Sequence, residues 1–322
     1  MVELIVDYIR VLMFFLREAN PVFVGSIVFV FGAVFGSFIN VLNYRLPLEM
    51  DVVFKPSFCP KCKRNIKWYH NIPIISYLYL GGKCAYCRES IAIGYFLIEL
   101  LTAFSFLAFY LLYGVTWDFI VLCLFFIISL PVLIIDFRYH IIPDELSIGG
   151  AVVGLFLGFV HTFIGFDNNT NITISMIDSI WGVVVGLLIF GGIYVSSLLV
   201  FRKEGMGLGD VKFAATIGAF LGSSPSIVAF LLSFLYGSFL GLIIMIFKRL
   251  KNMKKIKTIS HLKNLNISSD YVSSIVMVYV YQNQVDELRS SYIAFGPYMV
   301  LGAWTSIFFA HEMIGFFVGE II

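Results

Sequence analysis

Two aspartates in this chain stand at the ends of long apolar runs, where an ionised side chain is costly. Asp210 closes the glycine-rich turn 205–212 directly before one apolar run, and Asp136 stands at the end of another. Such a residue needs a cavity or a partner, and it marks a candidate functional site. Gly207 and Gly209 let the backbone turn tightly and let a substrate backbone come close. We therefore predict that Asp136 and Asp210 meet near a membrane surface and share a proton.

A shared proton would give this pair acid–base chemistry, because two adjacent carboxyl groups do not both ionise easily. The charged member can take a proton from water, and the neutral member can donate a hydrogen bond to a peptide carbonyl. This combination predicts peptide hydrolysis without a covalent intermediate. The residues alone leave other interpretations open. Asp144 could be a helix cap, its preferred role, or it could replace Asp136 in the pair. Asp136 could instead pair only with Arg138, and Asp210 could only cap its helix.

The composition is that of a polytopic membrane protein. Of 322 residues, 60% are hydrophobic and 13% are charged, whereas a soluble domain has about 25% charged residues. The mean hydropathy is +0.93 and the net charge is +2. A spanning helix needs about 20 mainly apolar residues. We predict an all-α bundle of about eight transmembrane helices, at 22–42, 92–113, 117–135, 146–164, 178–201, 211–222, 225–247 and 292–316.

The sixth of these predicted spans, 211–222, is short for a membrane crossing. We expect it to tilt, to lie behind other helices, or to cross only part of the bilayer. Residues 1–20 place apolar side chains on one face and charges on another, which predicts an amphipathic segment in the membrane interface; the alternative is a short membrane-proximal tail.

The basic residues predict the orientation of the bundle. Lys and Arg are concentrated in the loops 43–91, 202–210 and 248–291. The connections without any are 114–116, 165–177 and 223–224. Because cytoplasmic loops carry the excess of Lys and Arg, we predict a multi-pass protein of the plasma (inner) membrane with both aspartates at the cytoplasmic face. The lysine cluster after residue 248 is interpreted as facing lipid headgroups, so membrane lipids are expected partners and nucleic acid is not.

Four cysteines form two Cys-x-x-Cys pairs, Cys59 with Cys62 and Cys84 with Cys87. Two such pairs supply four thiolates for tetrahedral Zn²⁺. A reducing cytoplasm disfavours structural disulfides, and four thiolates leave no open coordination position. We therefore predict a structural zinc site in a small zinc-ribbon-like domain, while the fifth cysteine, Cys123, is expected to be a small buried hydrophobe.

One further acidic residue, Glu99, lies inside the second predicted span. A carboxylate at such a position is expected to face the interior of the bundle rather than lipid. The sequence alone assigns it no role.

Several motifs, taken in order along the chain, resemble the type IV prepilin peptidase family of Gly-x-Gly-Asp membrane aspartyl proteases. Tyr95 and Glu99 match the entry into that family's second helix. The other matching motifs are 36–41 (GSFINV), 45–47 (RLP), the two Cys pairs, 68–77 (WYHNIPIISY), 81–83 (GGK), Asp136 with 142–144 (IPD), 205–212 (GMGLGDVK) and 295–297 (FGP).

The resemblance implies an enzyme that cleaves the basic leader from type IV prepilins and from pilin-like secretion or competence proteins at the cytoplasmic membrane face. Asp136 and Asp210 fall at the family's two catalytic positions. Many members also methylate the new N-terminus with S-adenosylmethionine, an activity associated with the cysteine-bearing loop, where Gly82 is a candidate residue. The alternatives are a non-enzymatic pilin-assembly protein and an ion-coupled transporter that uses the aspartates as a relay.

The expected domain organisation follows from these assignments. One departure from the family pattern is the long segment before the last helix, which is commonly short. The expected divisions are an amphipathic segment (1–20), the first transmembrane helix (22–42), a cytoplasmic zinc-binding domain (43–91), the transmembrane peptidase core (92–247), a basic cytoplasmic insertion (248–291) and the last transmembrane helix (292–322).

Overall fold

The computed structural model of the chain describes residues 19–164, 175–202, 205–263 and 294–318. The predicted amphipathic segment therefore lies almost wholly outside the described residues. Besides two short 3-10 helices (Leu46–Leu48 and Trp68–His70), the described part contains these α-helices: α1 (Pro21–Arg45), α2 (Ile75–Tyr79), α3 (Ile93–Tyr113), α4 (Trp117–Tyr139), α5 (Asp144–Ile164), α6 (Met176–Phe201), α7 (Leu208–Leu221), α8 (Ser223–Lys263) and α9 (Gly296–Val318).

Six of the described helices are long and apolar enough to cross a membrane: α1, α3, α4, α5, α6 and the first part of α8. The protein is therefore a multi-pass membrane protein, and the predicted all-α fold class is confirmed. The helices α7 and α9 correspond to the sixth and eighth predicted spans.

Local capping fixes several helix ends. The side chains of Asn20, Thr116 and Ser175 accept hydrogen bonds from the first turns of α1, α4 and α6, as short polar residues do at helix N-termini. At its other end, α4 stops at His140, which adopts a left-handed conformation with φ 56°. The helix that carries Asp136 therefore ends one turn after it.

The short helix α7 lies behind other helices, which is one of the three placements expected for the predicted span 211–222. It packs on α5 and α6 and also contacts α8 and α9. Its residues from Phe213 to Leu221 are all buried. Gly182 on α6 faces Gly218 on α7 so closely that a Cβ on either glycine would overlap the backbone of the other. This backbone-to-backbone packing is typical of small residues between membrane helices.

A second close packing joins α1 to α3. A Cβ on Gly32 would lie 2.7 Å from the Cα atom of Ala103, and one on Gly36 would lie 2.6 Å from the Cα atom of Glu99. The helix α4 contacts this pair and also contacts α5 and α9. Trp304 of α9 stacks on Phe109 of α3 with ring centroids 5.4 Å apart, which ties the two groups of helices together.

The helix α8 extends beyond the predicted span 225–247. It continues as one helix to Lys263, into the segment predicted to form the basic insertion. The residues from 242 to 263 contain neither Gly nor Pro, and lysine is a good helix former. A fall in hydropathy marks where a helix leaves the apolar layer rather than where the helix ends. The rest of the predicted insertion lies mostly outside the described residues.

Candidate active site and metal centre

Asp136 lies in the last turn of α4 with only 4% of its surface exposed. Its Oδ2 accepts a hydrogen bond of 2.8 Å from the backbone N–H of Gly296, the first residue of α9. The first N–H groups of a helix have no partner within the helix, and the helix dipole favours negative charge there. The N-terminus of α9 therefore holds one oxygen of the Asp136 carboxyl group.

Asp210 lies in the first turn of α7, and its backbone N–H donates to the Gly207 carbonyl over 3.1 Å. The side chain is partly buried. The Asp136 carboxyl group is close enough for its charge to act on Asp210. The two aspartates thus lie on two different helices at one end of the bundle, within electrostatic reach of each other. That they share a proton stays a prediction.

The two glycines of the Asp210 turn have different surroundings. Gly207 is exposed, and a Cβ built on it would lie 3.5 Å from Oδ2 of Asp210. A Cβ built on Gly209 would lie 3.1 Å from the Cβ of Ile142, in the connection after α4. Gly209 thus permits the segment after Asp136 to pack against the Asp210 turn. Gly207, by contrast, is exposed and lies directly beside the Asp210 carboxyl group.

Asp144 is engaged elsewhere. Its Oδ1 lies 2.7 Å from Nζ of Lys212, in an ion pair between side chains that are 58% and 37% exposed. This pair joins the start of α5 to the first turn of α7. Among the described residues, no ion pair connects Asp136 with Arg138. The geometry therefore favours Asp136, rather than Asp144, as the partner of Asp210.

The four cysteines of the two Cys-x-x-Cys pairs form one cluster. Their sulfur atoms all lie within 4.8 Å of one another, and Sγ of Cys59 is 3.9 Å from Sγ of Cys87. A Zn–S bond of about 2.3 Å in a tetrahedron places two sulfurs about 3.8 Å apart. The cluster therefore fits a tetrahedral metal ion such as Zn²⁺.

The two Cys-x-x-Cys turns share one backbone pattern. The N–H of Lys63 donates to the Cys59 carbonyl, and the N–H of Arg88 donates to the Cys84 carbonyl. Both donors have a positive φ, of 60° and 59°. The backbone N–H of Cys87 is the main cause that lowers the pKa of the Cys84 thiol, to about 7, while burial and the neighbouring thiols raise the pKa of Cys87 to about 11. The turns therefore already hold the backbone conformation that a metal site requires.

A cavity of about 360 Å³ lies between the cysteine domain, α1 and α3. Its walls carry the rings of Tyr44, Tyr77 and Tyr86, together with His70 and the carboxylate of Glu99. The prediction that Glu99 faces the interior is consistent with this position. Nδ1 of His70 is buried without a hydrogen-bond partner.

Gly82 lies directly against Tyr77, one of the residues that line this cavity. It has φ 67°, and a Cβ built on it would lie 2.9 Å from the hydroxyl oxygen of Tyr77. The Gly82 carbonyl accepts from the N–H of Ile91 over 2.7 Å, and the Tyr77 hydroxyl donates to the Ile91 carbonyl over 3.3 Å. Gly82 therefore lets Tyr77 stand in the cavity wall, and its role in methyl transfer stays a prediction.

Two residues of the site were not assigned these roles from the sequence. Gly296 belongs to a recognised motif, but its contact with Asp136 joins positions 160 residues apart, so no local pattern predicts it. Arg45 is 3% exposed, and its guanidinium donates to the carbonyls of Asp51, Lys55 and Pro56 over 2.8–2.9 Å. It fixes the loop that leads into the first Cys pair. In the sequence, the one indication of this role for Arg45 was that a basic residue follows an apolar span.

The fold and the site define a multi-pass membrane protein with two carboxyl groups at one end of the bundle and a four-cysteine domain between α1 and α3. The chain belongs to the type IV leader peptidase family. Residues 120–244 match the model of that family, and residues 30–113 match the model of the bacterial peptidase A24 N-terminal domain. The resemblance drawn from the motifs is confirmed.

Curated relatives carry the name prepilin leader peptidase/N-methyltransferase. The Aeromonas hydrophila protein is 31% identical over 245 residues, which cover 67% of this chain and 80% of that protein. The Myxococcus xanthus protein is 31% identical over 218 residues, 68% of this chain but only 62% of that protein's length. The Aeromonas salmonicida protein is 24% identical over 326 residues, 92% of this chain and 94% of that protein. No solved structure matches the chain significantly.

Proposed function

We propose that this protein is a membrane aspartyl endopeptidase that cleaves the basic leader of type IV prepilins and pilin-like secretion or competence proteins, and that it also N-methylates the new N-terminus. Both reactions take place at the cytoplasmic face of the plasma (inner) membrane. The observation that carries the proposal is the position of Asp136 and Asp210 at one end of the bundle, within electrostatic reach of each other, in a chain of the leader peptidase family.

In the proposed cleavage step, the two carboxyl groups share one proton. The ionised group takes a proton from a water molecule, and the protonated group donates a hydrogen bond to the scissile carbonyl. The N–H of Gly296 fixes one Asp136 oxygen, which leaves the other oxygen for water. Gly207 is exposed beside the Asp210 carboxyl group, and a glycine there lets the extended substrate backbone come close.

The cysteine cluster suits a structural Zn²⁺, and Cys59, Cys62, Cys84 and Cys87 would hold it. Since all four sulfurs would be occupied, the metal would shape the domain and would take no part in either reaction.

The cavity beneath the cysteine domain suits S-adenosylmethionine. Its volume is in the range of ligand pockets, roughly 300–1,000 Å³, and its aromatic walls offer Tyr77 and Tyr86 for stacking against a purine. The unpartnered Nδ1 of His70 is a polar group that a ligand would satisfy. When bound, S-adenosylmethionine supplies a methyl group on a sulfonium.

The decisive experiment is a cleavage assay on the purified full-length protein with a model prepilin, followed by mass spectrometry. We expect Asp136→Asn and Asp210→Asn each to lower the rate by at least about 100-fold, the usual contribution of a general acid or base. Asp144→Asn is the matched control. Because its partner Lys212 is half-exposed, the pair is worth only about 0–1 kcal/mol, and cleavage should persist.

The outcomes separate the competing interpretations. If Asp210→Asn retains substantial cleavage, the aspartyl mechanism is wrong. If Asp144→Asn loses cleavage while Asp136→Asn keeps it, Asp144 is the catalytic partner. If the wild type cleaves no pilin-like substrate but binds one, a non-enzymatic assembly role is supported.

A further inference from the structure

We propose that Glu99 binds the α-ammonium group that leader cleavage creates and accepts its proton before methyl transfer. This inference rests on the proposed function and adds to it a specific site for the second reaction.

The position of Glu99 suits this role. It lies six residues after the start of α3 at Ile93 and lines the cavity. Oε2 accepts a hydrogen bond of 2.7 Å from the N–H of Ile74, and the Ser37 hydroxyl is near enough to act as a second, neutral donor to the carboxylate. A carboxylate has about four acceptor positions, so two neutral donors leave capacity for an ammonium ligand.

Within the described part of the chain, the carboxylate of Glu99 forms no ion pair with Lys, Arg or His. A carboxylate away from bulk water is costly unless it is paired. The two donors that it has are a backbone N–H and a hydroxyl, and neither carries a charge. A cationic ligand in the cavity would supply the missing counter-charge.

The cavity also lies beside the proposed cleavage site. Tyr95 stands one turn before Glu99 on the same helix face, and both residues line the cavity. Tyr95 is within electrostatic reach of Arg138 and Tyr139, which follow Asp136 at the end of α4. The N-terminus released at the aspartates would thus be formed next to the cavity wall.

Glu99 and Asp136 also lie at similar depths in the bundle. At 1.5 Å per residue, Glu99 lies about 9 Å along α3 from its start, and Asp136 lies about 5 Å along α4 from its end. The short connection 114–116 places the start of α3 and the end of α4 at the same face of the bundle. An α-amine can therefore pass between the two groups at nearly constant depth.

The chemical step balances. The substrate ammonium group gives one proton to the Glu99 carboxylate, and its nitrogen lone pair then attacks the sulfonium methyl carbon. A nitrogen–carbon bond forms as the carbon–sulfur bond breaks. The products are a methylated ammonium group, which now carries the positive charge of the sulfonium, and a neutral thioether. The proton held by Glu99 passes to water.

A purely structural role for Glu99 has to be separated from this proposal, because its carboxylate also holds the N–H of Ile74, which adopts φ 63°. Glu99→Gln keeps a carbonyl oxygen as acceptor for that N–H and removes only the charge. The matched control is Glu49→Gln, since Glu49 is an exposed residue of the neighbouring loop.

The first measurement is binding in the absence of a methyl donor. It uses the full-length protein with Asp136→Asn and Asp210→Asn, so that neither catalytic carboxylate attracts an amine. The probe is a cleaved pilin peptide with a free α-amine, compared with its analogue bearing a hydroxyl in place of the amine. We expect about tenfold tighter binding of the amine, as for a charged hydrogen bond, and loss of the preference on adding Glu99→Gln. Equal binding of the two peptides before Glu99 is changed would overturn the proposal.

The second measurement follows cleavage and methylation by mass spectrometry with native aspartates. We expect Glu99→Gln to cleave within about twofold of the wild type and to bind S-adenosylhomocysteine normally, while methylation falls at least about 100-fold, as for loss of a general base. Glu49→Gln should retain both reactions. Normal methylation in Glu99→Gln would overturn the inference and leave the proposed function intact. Failure of the wild type to cleave or methylate would instead count against the proposed function.

Discussion

At the residue scale, the carboxyl group of Asp136 depends on a contact that no sequence pattern shows. The position of both aspartates at the ends of apolar runs predicted that they meet, because an isolated carboxylate is costly there. The hydrogen bond from Gly296 to Asp136 could not be predicted in the same way, since it depends on how α9 packs against α4. The same limit applies to Glu99, whose interior position was predictable but whose cavity was not.

A side chain at position 296 should therefore disturb catalysis. In Gly296→Ala, the added Cβ would lie 2.6 Å from Oδ2 of Asp136 and 3.2 Å from its Cγ, so the carboxyl group has to move. A displacement of about 1 Å can lower a rate about 100-fold. We expect a loss of that order in the kcat for cleavage, with little change in prepilin binding.

The control for this variant is Gly149→Ala on α5, where a Cβ would meet nothing within 4 Å. This substitution should leave cleavage unchanged. Equal activity of the two variants would show that the Gly296 contact does not position Asp136.

At the element scale, α7 shows what hydropathy predicts and what it leaves open. Its 14 residues span about 21 Å, short of the roughly 30 Å hydrocarbon core, so the sequence allowed three placements. Tertiary packing selects one of them, because α5 and α6 cover the helix. The end of α8 at Lys263 was not predictable from hydropathy. The change from apolar to polar residues along this helix marks the end of its apolar part and does not terminate the helix.

Because α6 and α7 are in close contact, we predict that one added methyl group between them strongly lowers the stability of the protein. In Gly182→Ala, the Cβ would overlap the carbonyl of Gly218, and neither backbone can yield without moving a helix. Overpacking of this kind costs about 1–3 kcal/mol. We expect a lower apparent Tm in detergent, and reduced cleavage because α7 carries Asp210.

Gly192→Ala on the same helix is the comparison, because a Cβ there meets nothing within 4 Å. Its Tm should equal or slightly exceed that of the wild type, since alanine restricts the unfolded chain more than glycine does. If both variants melt alike, the close approach of α6 and α7 does not limit stability.

At the scale of the whole molecule, two functional regions meet on one bundle. The spacing of the Cys pairs predicted the four-cysteine cluster, because four thiolates at such spacing have few uses other than metal binding. The cavity between that cluster, α1 and α3 was not predictable, since its walls come from segments far apart in the sequence.

Metal removal should therefore affect the two reactions unequally. The cavity is lined by both Cys-x-x-Cys turns, through Cys59 and Cys84, whereas Asp136 and Asp210 are held by α4, α7 and α9. We expect Cys59→Ser with Cys84→Ser to lose bound zinc, measured by elemental mass spectrometry, and to lose methylation. Cleavage should stay within about tenfold of the wild type, because the helix contacts that position the two aspartates lie outside the cysteine domain and persist.

Cys123→Ser serves as the control, because Cys123 lies buried among the helices and outside the cluster. Its zinc content should match that of the wild type. A double variant that loses zinc and retains full methylation would show that the cluster does not support the cavity.

The proximity of Tyr95 to the end of α4 has a kinetic consequence. The amine to be methylated exists only after cleavage, so the order of the two reactions is fixed. In the proposed mechanism the product forms beside the second site, so the second step would proceed at a high effective concentration, as in an intramolecular reaction. A labelled prepilin should then become methylated even when excess unlabelled mature chain is present, and labelled unmethylated chain should not accumulate in a rapid-quench time course. Membrane concentrations of mature pilin would thus not set the rate of modification; each chain would be modified during the same encounter in which it is cut.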